Sequence, residues 1–153
     1  VTRVVFMCGP AGSGKSTYAR TLENEGWIRL SFDEEAWRRG IRAQPLSDDI
    51  QQEIERDLRA RLIELVRGGT EVVLDFSFWS RAMRDEYRGL LRPWGIVPET
   101  MYLNTPRPVA LERVRGRTGA HAGDVSLPEG VAAKYFDHFE PPTVEEGPLT
   151  VIG

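Results

Sequence analysis

Gly9-Pro10-Ala11-Gly12-Ser13-Gly14-Lys15-Ser16 fits the pattern G-x-x-x-x-G-K-[ST], with Thr17 following. Each residue type has a physical reason to be there. Glycines let the backbone curl so that successive amides point inward at phosphate oxygens. A helix opening at the end of the run adds unsatisfied N–H donors and a partial positive charge. Lys15 supplies a mobile ammonium for β- and γ-phosphates, and the Ser16 hydroxyl can ligate Mg²⁺. Of the 20 basic residues all but Lys15 and Lys134 are arginine, so a lysine at the required position carries information. The chemistry indicated is capture of a polyphosphate tail, with ATP and Mg²⁺ as the cofactors.

Two carboxylates are candidates to act beside that tail. Asp33 follows Leu30-Ser31-Phe32, and Asp75 follows the apolar run Val72-Val73-Leu74. Asp33 also suits the N-cap of the next helix, with Glu34 and Glu35 favouring the helix dipole, and the two roles are compatible. An acid directly after a buried strand is costly without a partner, and Mg²⁺ is one such partner for Asp75. Arg81 stands in the first turn of a helix, against the dipole's preference, which points to an anionic partner. Arg84 reads as part of a solvated helix face. Arg113 and Arg117 are four residues apart and share a helix face just before a glycine-rich stretch. Arginines so placed can close over a triphosphate and stabilise charge developing in transfer. Cys8 reads as a small buried hydrophobe, and His121 and His138 as ordinary surface residues.

These residues need elements to hold them. Val4–Met7 is a continuous apolar run that ends at the glycines, as a buried strand entering a tight turn does. Helical spacing then carries Tyr18, Ala19 and Leu22 to a stop at Gly26. Strands are expected at 27–30, 71–75, 99–103 and 149–152. Helices are expected at 33–39, from a Ser47 cap to Gly68, from a Ser80 cap through Leu91, and after Thr105-Pro106. Ser126 with Glu129 forms a capping box for a further helix to about Phe139. Strands alternating with helices imply βαβ units, a parallel sheet and a three-layer α/β sandwich.

Composition narrows the field. At 153 residues the chain has the length of one domain, and neither a repeat nor a linker divides it, so residues 1–153 form one unit. No apolar run approaches the roughly 18 residues that cross a bilayer, and the first residues are too short for a signal peptide. The single cysteine excludes an intrachain disulfide and suits a reducing cytoplasm. A net charge of −3 gives no overall basic footprint for a duplex-DNA binder. Nothing in the sequence reports an oligomeric state.

The phosphate loop, Asp33, the Val72–Asp75 strand and Arg113-Val114-Arg115-Gly116-Arg117 together resemble the small P-loop kinases. The likeness is greatest to the branch holding chloramphenicol phosphotransferase, zeta-toxin kinases, the kinase domain of polynucleotide kinase and AAA-type ATP-binding proteins. The resemblance implies a P-loop NTPase sandwich with a five-stranded parallel sheet of order 2-3-1-4-5 and a short lid at about 116–127. It implies that Asp33 accepts the acceptor's proton, Ser16 binds magnesium, and Asp75 lies near the metal or acceptor. It further implies that Arg113 packs on adenine, Arg117 reaches the phosphates and Arg81 contacts a phosphate. Phe32 stands where polynucleotide-kinase-like proteins often have arginine before the aspartate.

The expected function is therefore transfer of the γ-phosphoryl group of ATP to a hydroxyl of a small molecule. Two rivals remain at this point. One is a polynucleotide 5′-hydroxyl kinase, for which Arg38, Arg39, Arg42, Arg56 and Arg59 would form a basic strip rather than pair with nearby glutamates. The other is a nucleotide-dependent regulator, although Phe76 stands where a dedicated ATPase would carry a water-polarising glutamate. Trp37, Phe78, Trp79 and Trp94 are candidates for an acceptor pocket, or for core.

Overall fold

The computed structural model describes residues 2–10, 13–41, 47–115, 133–134 and 136–152. Five strands, β1 (Val4–Cys8), β2 (Ile28–Ser31), β3 (Val72–Ser77), β4 (Glu99–Leu103) and β5 (Leu149–Ile152), form one parallel sheet. Its order is β2-β3-β1-β4-β5, as the resemblance implied. Between the strands lie α1 (Lys15–Asn24), α2 (Phe32–Arg38), α3 (Asp48–Arg67), α4 (Arg81–Leu91) and α5 (Arg107–Arg115).

Helices cover both faces because every residue of β1 is buried, so alternate side chains must find apolar cover on opposite sides. Val4, Phe6 and Cys8 pack with α3 residues Ile54, Leu58 and Leu62 and with Tyr87 of α4. Val5 and Met7 pack with Ala19 of α1, Trp27 and Val73 on the other face. The apolar row of α3 runs Ile54, Leu58, Leu62, Val66 and leaves Leu65 half-buried. Phe6 and Phe78 stack at 4.3 Å with Tyr87 edge-on to both, which fills the first half of the core. No helix among the described residues is long and apolar enough to cross a membrane.

Three expectations are corrected here. The cap of α2 is Ser31, whose hydroxyl accepts from the Glu34 amide at 3.2 Å, so Asp33 sits in the first turn rather than at the cap. β3 continues through Phe76 and Ser77 because Phe76 packs in the core, leaving Asp75 inside the strand and not at its end. Arg84 is not a solvated residue. It is fully buried, and its guanidinium reaches both carboxylate oxygens of Glu146 at 2.8 and 3.3 Å. The helix expected at 126–139 falls mostly outside the described residues, as does the expected lid at 116–127.

Candidate functional site

In an open parallel sheet the loops beyond the carboxyl ends of the strands form the binding crevice. Gly9 lies directly after β1, and the described part of its loop resumes at Ser13. Gly14 caps α1 with φ +96°, the left-handed region that glycine enters without a Cβ penalty. The caps of α2, α3 and α4 are serines whose hydroxyls occupy a first-turn amide, whereas α1 has no side-chain cap and no acid in its first turn. Its leading N–H groups are therefore open to an anion.

The loop is shaped for close backbone approach. A Cβ at Gly9 would stand 2.5 Å from the Ser13 hydroxyl oxygen and 3.4 Å from the Leu103 side chain. The Ser13 hydroxyl is buried without a hydrogen-bond partner, while the Ser13 carbonyl accepts from Thr105 at 2.6 Å, tying the loop to the end of β4. Lys15 is only 5 % exposed. It forms no ion pair with any described residue, and an almost buried ammonium without a carboxylate is costly unless an anion arrives. Arg113 approaches from α5: its Nη1 lies 3.4 Å from where a Gly14 Cβ would stand. Gly9→Ala should accordingly weaken ATP binding at least tenfold by forcing Ser13 out of the loop, while thermal stability changes little. Calorimetric titration with ATP beside a thermal melt measures both.

The acids sit two and one strands away. Neighbouring strands are about 4.8 Å apart, so the ends of β1 and β2, on either side of β3, lie about 10 Å from each other. Asp33 is half-buried in the first turn beyond β2. Asp75 is buried, and Arg29 Nη2 and Nε both donate to its Oδ2, at 3.0 and 3.2 Å. Arg29 also pairs with Glu34. Burial works against the Arg29 charge, but Asp75 and Glu34 more than offset it and hold its pKa raised. The partner demanded by the Asp75 charge is thus Arg29, so that demand by itself does not require a metal. Sequence reasoning missed Arg29. Its signal was a lone arginine inside the apolar stretch Trp27–Leu30, which has to find an acid on the adjacent strand.

Whether the site suits Mg²⁺ turns on the other Asp75 oxygen. Oδ1 is buried and has no hydrogen-bond partner, and the Ser16 hydroxyl opens α1 on the sheet face that Asp75 shares with Val73. One hydroxyl and one free carboxylate oxygen suit a cation that keeps several waters and takes its remaining ligands from phosphates. No group of three or more potential metal-ligating His, Cys, Asp or Glu side chains occurs among the described residues, so a cage built wholly of protein is not what they offer.

The other candidates divide. Arg81 is 56 % exposed on its side chain and pairs with Asp85 at 3.5 Å, while its amide donates to Glu140 Oε1 at 3.0 Å. Phe78 is core, and Trp94 follows α4, where the chain turns back toward the start of β4, under the Arg67 guanidinium. Trp79, 53 % exposed just past β3, remains at the carboxyl edge. Cys8 is buried as expected, and that burial pushes its thiol up to about 12. The basic strip is neutralised at three positions: Arg38 and Arg39 pair with Glu35, and Arg59 with Glu55 and Glu86. Ala11, Gly12, Arg42 and Arg117 lie outside the described residues.

Comparison with solved structures finds the same fold. A chain of the Pnkp1/Rnl/Hen1 RNA repair complex superposes with TM-score 0.75 at 18 % identity over 90 % of this chain and 43 % of that one. This chain therefore spans less than half of that relative. A sugar kinase from Janibacter sp. matches with TM-score 0.68 and 23 % identity over 99 % and 85 % of the two chains. Kti12 from Chaetomium thermophilum, solved with ADP-AlF3, matches with TM-score 0.68 and 17 % identity over 97 % and 88 %. A comparison with curated proteins found no match. The family model of the AAA domain matches residues 4–142, from the first strand to beyond the expected lid. The chain belongs to that AAA domain family, and its fold is that of the small P-loop kinases.

Proposed function

We propose that the chain is an ATP- and Mg²⁺-dependent kinase, acting as a single domain, that phosphorylates a hydroxyl of a small molecule. The observation that carries this reading is Lys15, nearly buried without an ion pair at the open end of α1, with the Asp33 carboxylate two strands away. A loop that needs an anion beside an acid that can take a proton supports transfer to an alcohol rather than simple nucleotide storage. The amides after Gly14 and the Lys15 ammonium would hold the β- and γ-phosphates, and Arg113 would contact the nucleotide. Arg117, as the resemblance implies, would reach the phosphates, and Arg81 remains a candidate phosphate contact. Ser16 and Asp75 Oδ1 would hold Mg²⁺, which when bound neutralises charge on the β- and γ-oxygens. The acceptor oxygen forms its bond to the γ-phosphorus as the bond to the bridging β–γ oxygen breaks, and the hydroxyl proton passes to Asp33. Such catalysis is mostly positioning and charge neutralisation. The lone buried Cys8 suits a reducing cytoplasm.

A polynucleotide end is less well supported as acceptor, because Arg38, Arg39 and Arg59 are spent in ion pairs. The test is transfer of labelled phosphate from ATP to a fractionated metabolite pool and, in parallel, to a 5′-hydroxyl oligonucleotide, with the product identified by mass spectrometry. A labelled small alcohol is expected. Label only on the oligonucleotide, with steep salt dependence, would overturn the choice of acceptor, and ATP binding without transfer to either would favour a regulator. Asp33→Asn should lower turnover by about 10² while ATP affinity stays within about twofold, as loss of a general base does. A fully active variant would remove Asp33 from the mechanism.

A further inference from the structure

The guanidinium of Arg84 is the most completely buried charge in the described chain, and the reaction above does not use it. Its contacts are not confined to Glu146. Nη1 donates to the Phe78 carbonyl at 2.7 Å and to the Glu140 carbonyl at 2.9 Å, and it lies 3.9 Å from the Cys8 sulfur. Three separate pieces of chain therefore meet on one side chain. Cys8 is the last residue of β1, next to the phosphate loop. Phe78 begins the loop that leads from β3 to α4 and presents Trp79 and Arg81 at the carboxyl edge. Glu140 begins the segment that leads to β5.

The second piece is strained and needs holding. Phe78 has φ +51°, the one non-glycine positive φ among the described residues, and its amide turns back to the Phe76 carbonyl at 2.8 Å. A bulky residue in that region is strained and persists only where the surroundings fix it. The Phe78 carbonyl accepts from the Cys8 thiol at 3.5 Å and its ring stacks on Phe6, and the remaining fixing contacts join its loop to the third piece. The Glu140 amide donates to the Trp79 carbonyl at 2.8 Å, the Arg81 amide donates to the Glu140 carboxylate, and Arg84 bridges the Phe78 and Glu140 carbonyls from beneath. Glu146 anchors Arg84 in turn while accepting from the Thr143 amide at 2.9 Å.

We propose that Arg84 is a positioning residue that locks the Phe78–Arg81 loop and the Glu140–Glu146 segment to the end of β1, so that filling the phosphate loop sets the geometry of the acceptor-side wall. This rests on the phosphotransfer reading. The side chain touches no reacting atom; it acts through the two carbonyls it bridges. Trp79, half-exposed on the locked loop, is then held at the edge of the cleft as a rigid surface for an acceptor with an apolar face.

The test uses ATP with Mg²⁺ as probe and follows amide exchange in the whole chain. In the wild type, ATP is expected to slow exchange at residues 78–81 and 140–146 together. Arg84→Lys keeps the charge beside Glu146, but a single ammonium with three donors cannot meet both Glu146 oxygens and both carbonyls at once, as Nε, Nη2 and Nη1 do together. It should bind ATP within about twofold of wild type by calorimetry while losing at least tenfold of the ATP-induced slowing at both segments. Undiminished slowing in Arg84→Lys, or slowing confined to the phosphate loop in the wild type, overturns the proposal and leaves the kinase reading intact. Failure of the wild type to bind ATP overturns both. Should Arg84→Lys not fold, Glu146→Gln removes the charged anchor of the Arg84 guanidinium at nearly constant size and serves the same test. Loss of slowing at either segment sustains the proposal, and unchanged slowing at both refutes it.

Discussion

Lys15→Ala is expected to lower kcat/KM for ATP by about 10³, with most of the loss in ATP binding. The magnitude follows from where the ammonium sits. Lys15 is 5 % exposed, at the start of a helix with no capping side chain, and it has no carboxylate among the described residues to compete for it. A unit charge 4 Å from a phosphate oxygen at an effective dielectric near 20 interacts by about 4 kcal/mol. At about 1.4 kcal/mol per factor of ten, that is nearly three decades, shared between binding and transfer. Lys15→Arg should restore little, because a broad planar guanidinium replaces a compact point charge at a nearly buried position. Calorimetry with ATP measures the loss in binding and labelled-phosphate transfer the loss in kcat/KM. Unchanged ATP affinity in Lys15→Ala would refute the assignment of the loop.

That prediction was legible in the sequence because the loop's chemistry is packed into eight contiguous residues, flanked by a strand and a helix whose patterns are also local. The Ser47 and Ser80 caps were legible for the same reason, since a hydroxyl three residues before an amide is a short-range fact. The sheet order was not readable from the residues. Parallel strands pair across whole crossovers, and only the resemblance supplied 2-3-1-4-5. Asp33 was placed near its true position but in the wrong turn position, because Ser31 and Asp33 both suit a cap and only the backbone decides between them. Asp75 was seen as an acid in need of a partner, while its partner Arg29 went unread on another strand. Arg84 was misread outright. In its local setting, Arg81-Ala82-Met83-Arg84-Asp85 is a polar helix face, and its burial depends on Glu146, 62 residues on.

Arg84→Met is expected to cost about 3–5 kcal/mol, the usual result of deleting one partner from a buried ion pair. Methionine fills much of the volume, so the loss is electrostatic. The Glu146 side chain, 2 % exposed, would keep Arg88 at 3.2 Å as its one cation beside the Thr143 amide, the Glu140 carbonyl would lose its guanidinium donor, and the Phe78 carbonyl would keep the weak Cys8 thiol at 3.5 Å. For a chain of 153 residues each kcal/mol lowers Tm by roughly 2–4 °C, so Tm should fall by about 10 °C. The pH dependence separates this mechanism from a packing defect. In the wild type, burial works to raise the Glu146 carboxyl, but Arg84, the Thr143 amide and Arg88 more than offset it and hold it at about 2, below the ordinary 4.5. A carboxyl depressed on folding contributes stability that is complete above 4.5 and is lost as pH falls toward 2. Without Arg84 that depression weakens, so the variant has less of this contribution to lose in acid. The Tm gap between wild type and Arg84→Met should therefore be widest near neutral pH and narrow as pH falls through the same window. Thermal unfolding followed by circular dichroism from about pH 7 down to the lowest pH at which both proteins fold would show it. A gap that stays constant with pH would assign the loss to packing and remove the ion pair from the account.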